Sequence, residues 1–281
     1  MTDLDEYREQ SLASWAEMAA GWEERNEWMT EAAAPVNDWL LERADPRPGE
    51  VVLEVAAGAG DLGFRAAGRV GAEGRLLSTD FAPEMVAVAT RLAAARGLGN
   101  ADLRVLDAER MDLPSDSVDA VLCRWGYMLM ADPAAALAET RRVLRDGGRL
   151  AFAVWAGPDR NPWAALPARA LVERGHLPPP EPGAPGIFAL ADPDRIRALV
   201  GAAGFAEPAI EEIAFAFRFG DFADFWDYLV RLAGPLARAI KALPDEEERA
   251  TREAIAESLS PFREPGGSYA LPALCWGVLG R

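Results

Sequence analysis

VVLEVAAGAGDLG, residues 51–63, decides how the rest of the chain is read. Val51, Val52, Leu53 and Val55 form a short apolar run after the turn signal Pro48-Gly49, which predicts a buried strand carrying an acid at Glu54. The next residues, Ala56-Ala57-Gly58-Ala59-Gly60, have almost no side-chain bulk. A ligand can therefore lie directly against backbone N–H groups before the following helix begins. Gly58, Gly60 and Gly63 also spell GxGxxG, a pattern that tight strand–helix turns adopt without binding anything. On these residues alone, a ligand cradle and plain close packing both stand.

Downstream of this stretch, helical and strand patterns alternate. Helices are predicted over 61–70, from Pro83 to a stop at Gly97, and from the N-cap Asp132 with Pro133 to Gly147-Gly148. Strands are predicted over 75–79, 101–106, 118–123 and 149–155. Upstream, residues 8–29 read as a helix with Trp15, Met18, Ala19 and Trp22 at helical spacing, followed by a second helix over 35–41. The last part of the chain gives helices over 162–175, 192–204, 222–229 and 245–260, and a proline-rich link over 178–185. It also gives two more strands, 213–219 and 269–279. Five strands alternating with helices give the fold class as α/β, a doubly wound, mostly parallel sheet with crossovers on both faces.

Composition narrows the function. Across 281 residues, 45 acids against 29 bases leave a net charge of -16, and no basic patch offsets it, so nucleic acid is disfavoured as a partner. Half the residues are apolar and 26% are charged, as in ordinary globular proteins. The acidic first residues carry no signal-peptide pattern, and no apolar run approaches a membrane span, so the expected location is cytoplasmic. Cys123 and Cys275 lie in apolar runs and read as core thiols. No metal-ligand cluster is apparent. A homodimer remains open.

In open α/β sheets, ligands bind beyond the carboxyl ends of the strands. Those ends carry Glu54, Asp80 and Asp107. An acid in the position of Asp80 suits the two hydroxyls of a ribose, and Phe81 and Met85 beside it suit a flat base. Asp107 can accept from an exocyclic amine while the Ala108 backbone meets the ring, and Glu54 suits a cationic end, directly or through water. A dinucleotide cofactor fits less well, because Glu54 would crowd a pyrophosphate with like charge and Asp107 would lack a role.

The chain resembles class I S-adenosylmethionine-dependent methyltransferases of the ubiquinone/menaquinone C-methyltransferase-like branch. The resemblance rests on LEVAAGAG at 53–60, STDFAPEMV at 78–86, DAERMDLPSDSVDAVLC at 107–123 and RRVLRDGGRLAF at 141–152, with WAEMAAGW at 15–22 in front. It implies S-adenosyl-L-methionine as cofactor, S-adenosyl-L-homocysteine as product, and a small-molecule methyl acceptor. It places Glu54, Ala56, Gly58, Gly60 and Arg124 around the methionine part, Asp80 on the ribose, and Phe81, Met85, Asp107 and Ala108 on adenine, with Trp15 and Trp22 as cover. The implied fold is a Rossmann-like, mostly parallel seven-stranded sheet with a helical lid after the fifth strand, organised as a helical cap over 1–48, the cofactor-binding core over 49–156, and a lid and substrate region with the last strands over 157–281. The chain departs from the family at Ala56, where glycine is usual, and at Arg124-Trp125, where small or polar residues are common.

For the acceptor side, the later aromatics Trp155, Trp163, Phe222 and Trp226 predict an apolar or aromatic enclosure, with core packing as the competing reading. Tyr127 and His176 are the candidates for touching the acceptor or moving its proton, and both also read as structural. The expected reaction is C- or O-methylation of a small apolar or aromatic metabolite. A cofactor-binding protein without transfer activity and an NAD(P)-dependent oxidoreductase are the alternatives.

Overall fold

The computed structural model describes residues 3–181 and 183–281; Met1, Thr2 and Pro182, the last within the predicted proline-rich link, lie outside it. The chain opens with three helices, α1 (Asp3–Glu24), α2 (Asn26–Ala32) and α3 (Ala34–Ala44). The single helix expected over 8–29 thus breaks at Arg25. The core follows as β1 (Val51–Val55), α4 (Asp61–Val70), β2 (Arg75–Asp80), α5 (Pro83–Ala95), β3 (Ala101–Val105), β4 (Val118–Arg124), α6 (Pro133–Val143) and β5 (Leu144–Trp155). The remainder is α7 (Pro162–Glu173), α8 (Pro193–Ala202), β6 (Ala209–Phe219), α9 (Phe222–Leu232), α10 (Pro235–Lys241), α11 (Asp245–Leu259) and β7 (Tyr269–Gly280).

All seven strands form one sheet in the order β3-β2-β1-β4-β5-β7-β6. The first five are parallel, and β7 runs antiparallel between β5 and β6. Strand order reverses between β1 and β4, so the crevice at their carboxyl ends is where a doubly wound sheet binds its ligand. Local chemistry accounts for most boundaries. The Asp132 carboxylate caps α6 by accepting from Ala135 N, Asp192 caps α8 in the same way through Asp194 N, and Asp221 caps α9 through Asp224 N.

One boundary differs from expectation. The α6 helix ends at Val143 and β5 starts at once at Leu144, rather than after Gly147-Gly148. The pairing with β4 slips between Val118↔Leu144 and Ala120↔Arg149, and Gly147 takes φ +75° inside that bulge. The two glycines thus serve a strand irregularity and not a helix cap. The expected lid also divides, with α7 and α8 lying between β5 and β6, and α9 to α11 between β6 and β7. Of these, α8 packs on α6 and α11 on α7, whereas α9 packs on α1.

Candidate functional site

The turn after β1 is held by its neighbours before any ligand is considered. Ala57 N donates to Thr79 O at 3.0 Å, and Thr79 Oγ1 donates to Glu54 O at 2.8 Å, tying the tips of β1 and β2 together. Asp80 completes the cradle, with Oδ2 accepting from Gly58 N at 2.9 Å and Oδ1 from Ala82 N at 3.0 Å. Burial raises the Asp80 pKa, and these backbone N–H groups partly offset it. Gly58 has φ +56°, and a Cβ placed there would meet nothing within 4 Å. The loop therefore presents an open face directly beside the Asp80 carboxylate. Gly60, with φ +85°, is pinned differently, since a Cβ there would come within 2.5 Å of the Phe64 ring.

Above this loop lies α1. Met18 and Ala19 pack with Ala59, Ala82, Met85 and Val88, and Trp15, Trp22 and Phe81 flank them. Trp15 and Trp22 lie 6.0 Å apart. The predicted covering and base-binding residues thus share one cluster. The helix is clamped there by Arg8, which donates to the Glu109 carboxylate, and by Tyr7, whose hydroxyl donates to Leu129 O at 2.8 Å. Asp107 stands exposed at the tip of β3 with Oδ1 accepting from Glu109 N at 2.9 Å, and Ala108 is buried next to it.

Several expected roles change. Glu54 does not face the crevice. Strand alternation places it on the face covered by α4, where it is 2% exposed and accepts from Gly63 N at 2.8 Å and Ser78 Oγ at 2.9 Å. Burial pushes its pKa up to about 7, against the hydrogen bonds that favour the charge. Gly63, the last glycine of GxGxxG, is required by this carboxylate, because a Cβ there would lie 2.1 Å from Glu54 Oε2.

Arg124 is likewise withdrawn from the methionine end. Its guanidinium forks onto Asp61 with two 2.7 Å contacts and reaches Asn37 Oδ1 at 2.7 Å. Asn37 Nδ2 in turn donates to Asp61 at 2.8 Å. Burial pushes the Asp61 pKa up, but the Arg124 charge and hydrogen bonds outweigh it and hold the carboxyl low. This trio fixes the first residue of α4, so Arg124 shapes the loop from below. The acid at Asp61 follows a glycine at a helix start, a legible signal; Asn37, Ser78 and the Arg8–Glu109 clamp had none.

Tyr127 is not available to an acceptor. It is fully buried, its hydroxyl lies 2.6 Å from Thr140 Oγ1, and its ring meets Phe152 edge-on at 5.1 Å. His176 is spent at the α7–α11 contact, where Nε2 lies 3.2 Å from Glu247 Oε2, an oxygen that also accepts from Arg174 at 2.7 Å. Neither residue stands at the strand tips as a proton acceptor.

The two family departures lie at the switch point. Ala56 and Trp125 follow β1 and β4 with φ +52° and +60°, conformations that cost a side-chain-bearing residue about 1–2 kcal/mol. Gly126 leaves room for the Ala56 methyl, since a Cβ on Gly126 would come within 2.6 Å of it. The strained backbone aims the Trp125 indole onto Trp155, with centroids 4.4 Å apart, and its Nε1 donates to Cys275 Sγ at 3.0 Å.

From there a continuous set of rings extends outward. Trp155 meets Trp163 at 4.8 Å, Trp163 meets Phe217 at 5.1 Å, and Trp28 stacks on Phe217 at 5.7 Å. Trp155 and Trp163 therefore belong to a packed aromatic cluster beyond the tips of β4 and β5. Phe222 and Trp226 do not face it. They pack toward Tyr269 and under the Arg252 guanidinium, which lies 5.9 Å from one ring and 5.2 Å from the other.

Residues 52–148 match the family described as "Methyltransferase domain". The chain is 36% identical over 194 residues to nocamycin O-methyltransferase of Saccharothrix syringae, covering 68% of this chain and 65% of that protein, under two thirds of the relative's length. It is 35% identical over 181 residues to demethylmenaquinone methyltransferase of Thermus thermophilus, covering 60% of this chain and 78% of that one. The chain belongs to the S-adenosylmethionine-dependent methyltransferases. The fold agrees, since a phosphoethanolamine N-methyltransferase of Haemonchus contortus, solved with S-adenosyl-L-methionine, superposes with a TM-score of 0.54 at 15% identity over 88% of this chain and 52% of that one.

The residues present fit this family's cofactor. The Gly58 face is open beside a carboxylate, and Trp22 Nε1, on a residue packed in the same covering cluster, is buried without a hydrogen-bond partner among the described residues.

Proposed function

We propose that this chain transfers a methyl group from S-adenosyl-L-methionine to carbon or oxygen of a small, ring-bearing or apolar metabolite. The observation that carries this is the Asp80 carboxylate gripping Gly58 N–H beside an open backbone face. Asp80 would hold the ribose diol, Phe81 and Ala108 the base with Asp107 at its edge, and the Gly58–Gly60 turn the methionine part. The cofactor supplies an activated methyl group on a sulfonium, so the protein's work is alignment and exclusion of water. Trp15 and Trp22 close the crevice from above. Trp125 and Trp155 wall the acceptor side, and the strain at Trp125 supports a role there beyond packing.

In this reading Glu54, Asn37, Asp61 and Arg124 position the loop and touch neither substrate. The identities of the curated relatives support a small-molecule acceptor: one is named for O-methylation of nocamycin and the other for demethylmenaquinone.

Incubation with methyl-labelled donor and a metabolite extract, followed by mass identification of labelled products, tests the transfer. Asp80→Ala is expected to weaken S-adenosyl-L-homocysteine binding by about 1.5–3 kcal/mol, the scale of hydrogen bonds to a charged group. Unchanged calorimetric affinity would remove Asp80 from the ribose.

A further inference from the structure

The two edges of the sheet, β6 and β3, are finished differently. The outer edge of β6 is met by Trp28, whose Nε1 donates to Arg218 O at 3.2 Å. At β3, Leu76 N donates to Asn100 O and Leu106 N to Asp80 O, each at 2.9 Å, so the even-numbered residues of this stretch bond to β2. Ala101, Leu103 and Val105 therefore turn their N–H and C=O groups outward, and among the described residues these groups have no hydrogen-bond partner. Such a row is a template for pairing with another strand.

Side chains alternate across the same stretch. Asp102 and Arg104 share one face, where Asp102 Oδ2 accepts from Arg104 Nε at 2.9 Å and also from Arg75. Ala101, Leu103 and Val105 share the other. Ala101 and Leu103 are half-buried against the core, whereas Val105 is 54% exposed, more than any other large apolar side chain described. No proline or bulge interrupts the strand, and its charges are of opposite sign on either side of Leu103, so the usual guards of a free edge are missing.

The order Ala-Asp-Leu-Arg-Val is complementary to itself when a second copy runs antiparallel. With Leu103 opposite Leu103 of the second copy, Asp102 faces Arg104, Arg104 faces Asp102, and Ala101 faces Val105. The outward backbone groups of Ala101, Leu103 and Val105 then fall at the hydrogen-bonded positions, each residue both donating and accepting. Moving the centre by one residue sets Asp102 against Asp102 or Arg104 against Arg104, and brings forward the backbone groups already bonded to β2. Charge and hydrogen bonding thus select the same register.

We propose that the chain forms a symmetric homodimer by pairing β3 with β3 of a second copy, centred on Leu103, so that the two sheets continue as one. The inference stands on this strand and not on the methyl-transfer reading. A contact of this length belongs to the small, transient class of interfaces.

Sedimentation of the full chain at physiological salt, which screens the net charge of -16 on each copy, tests it. Wild type is expected to dimerise by about 0.1 mM. Arg104→Asp leaves only carboxylates at the facing positions, and Asp102→Arg only guanidinium groups. Each variant alone is expected to weaken the dimer at least about tenfold, because symmetry repeats every like-charge contact. Mixed in equal amounts, the two variants oppose acid to base at both positions, and they are expected to associate within about threefold of the wild-type affinity. Cooperative urea unfolding checks that each variant is folded, and amide exchange over 101–105 in wild type should slow as dimer forms. A wild-type monomer at that concentration, a dimer that both variants retain, or folded variants whose mixture stays monomeric would overturn the proposal. Where a variant does not fold, wild-type exchange decides, and exchange over 101–105 that fails to slow on dimerisation overturns it equally.

Discussion

Two glycines in one helix make a sharp test of how the loop is built. A Cβ at Gly63 would fall 2.1 Å from Glu54 Oε2, 2.8 Å from its Cδ and 3.2 Å from Leu76 Cδ1, whereas a Cβ at Gly68, also in α4, meets nothing within 4 Å. Glu54 cannot swing clear, because Ser78 Oγ and Gly63 N hold its two oxygens in a buried site. Gly63→Ala must therefore shift α4 or break a buried hydrogen bond to a carboxylate. Overpacking costs about 1–3 kcal/mol and the broken bond about 1.5–3 kcal/mol; the two overlap, so the expected loss is about 3 kcal/mol.

Gly68→Ala should instead gain about 0.5–1 kcal/mol from helix propensity. Urea unfolding followed by tryptophan fluorescence reads both variants. Combining Gly63→Ala with Glu54→Ala removes the clash, so the pair should cost at least about 1 kcal/mol less than the sum of the two single changes. If Gly63→Ala falls within about 0.5 kcal/mol of Gly68→Ala, the crowding argument for the third glycine is wrong.

Other expectations follow from the same network. The folded pKa of Glu54, about 7, stands above its ordinary value of 4.5, so its contribution to stability is full below that ordinary value and is lost as pH rises through the folded one. Glu54→Gln, a neutral copy, should therefore flatten the fall in unfolding free energy between about pH 5 and about pH 8, by no more than about 3 kcal/mol; an unchanged slope would contradict this. Arg124→Met leaves the Asp61 charge buried and should cost about 3–5 kcal/mol in denaturant titration, with a loss under about 1 kcal/mol refuting the locking role. Tyr127→Phe and His176→Ala should each leave the rate of labelled methyl transfer within about threefold of wild type, and a drop of about a hundredfold in either would return that residue to proton transfer.

Much of this protein was legible in order along the chain because the signals are local. A β-branched run followed by small residues must turn tightly, and an acid at a strand end must find donors, so β1, the Gly58–Gly60 turn and Asp80 could be placed before any contact was known. The caps at Asp132, Asp192 and Asp221 are local in the same sense.

What tertiary structure decided is where side chains from distant segments point and what meets them. Glu54 reads as a ligand contact until α4 is seen to cover its face, and Arg124 until Asn37 and Asp61 are found closing around it. Tyr127 reads as a candidate base until Thr140 and Phe152 enclose it. Alternation along a strand says that a side chain leaves on one face or the other; only the packed layers determine which face holds the crevice, and an unpaired group such as Arg25 Nη1 exists only once every neighbour is in place.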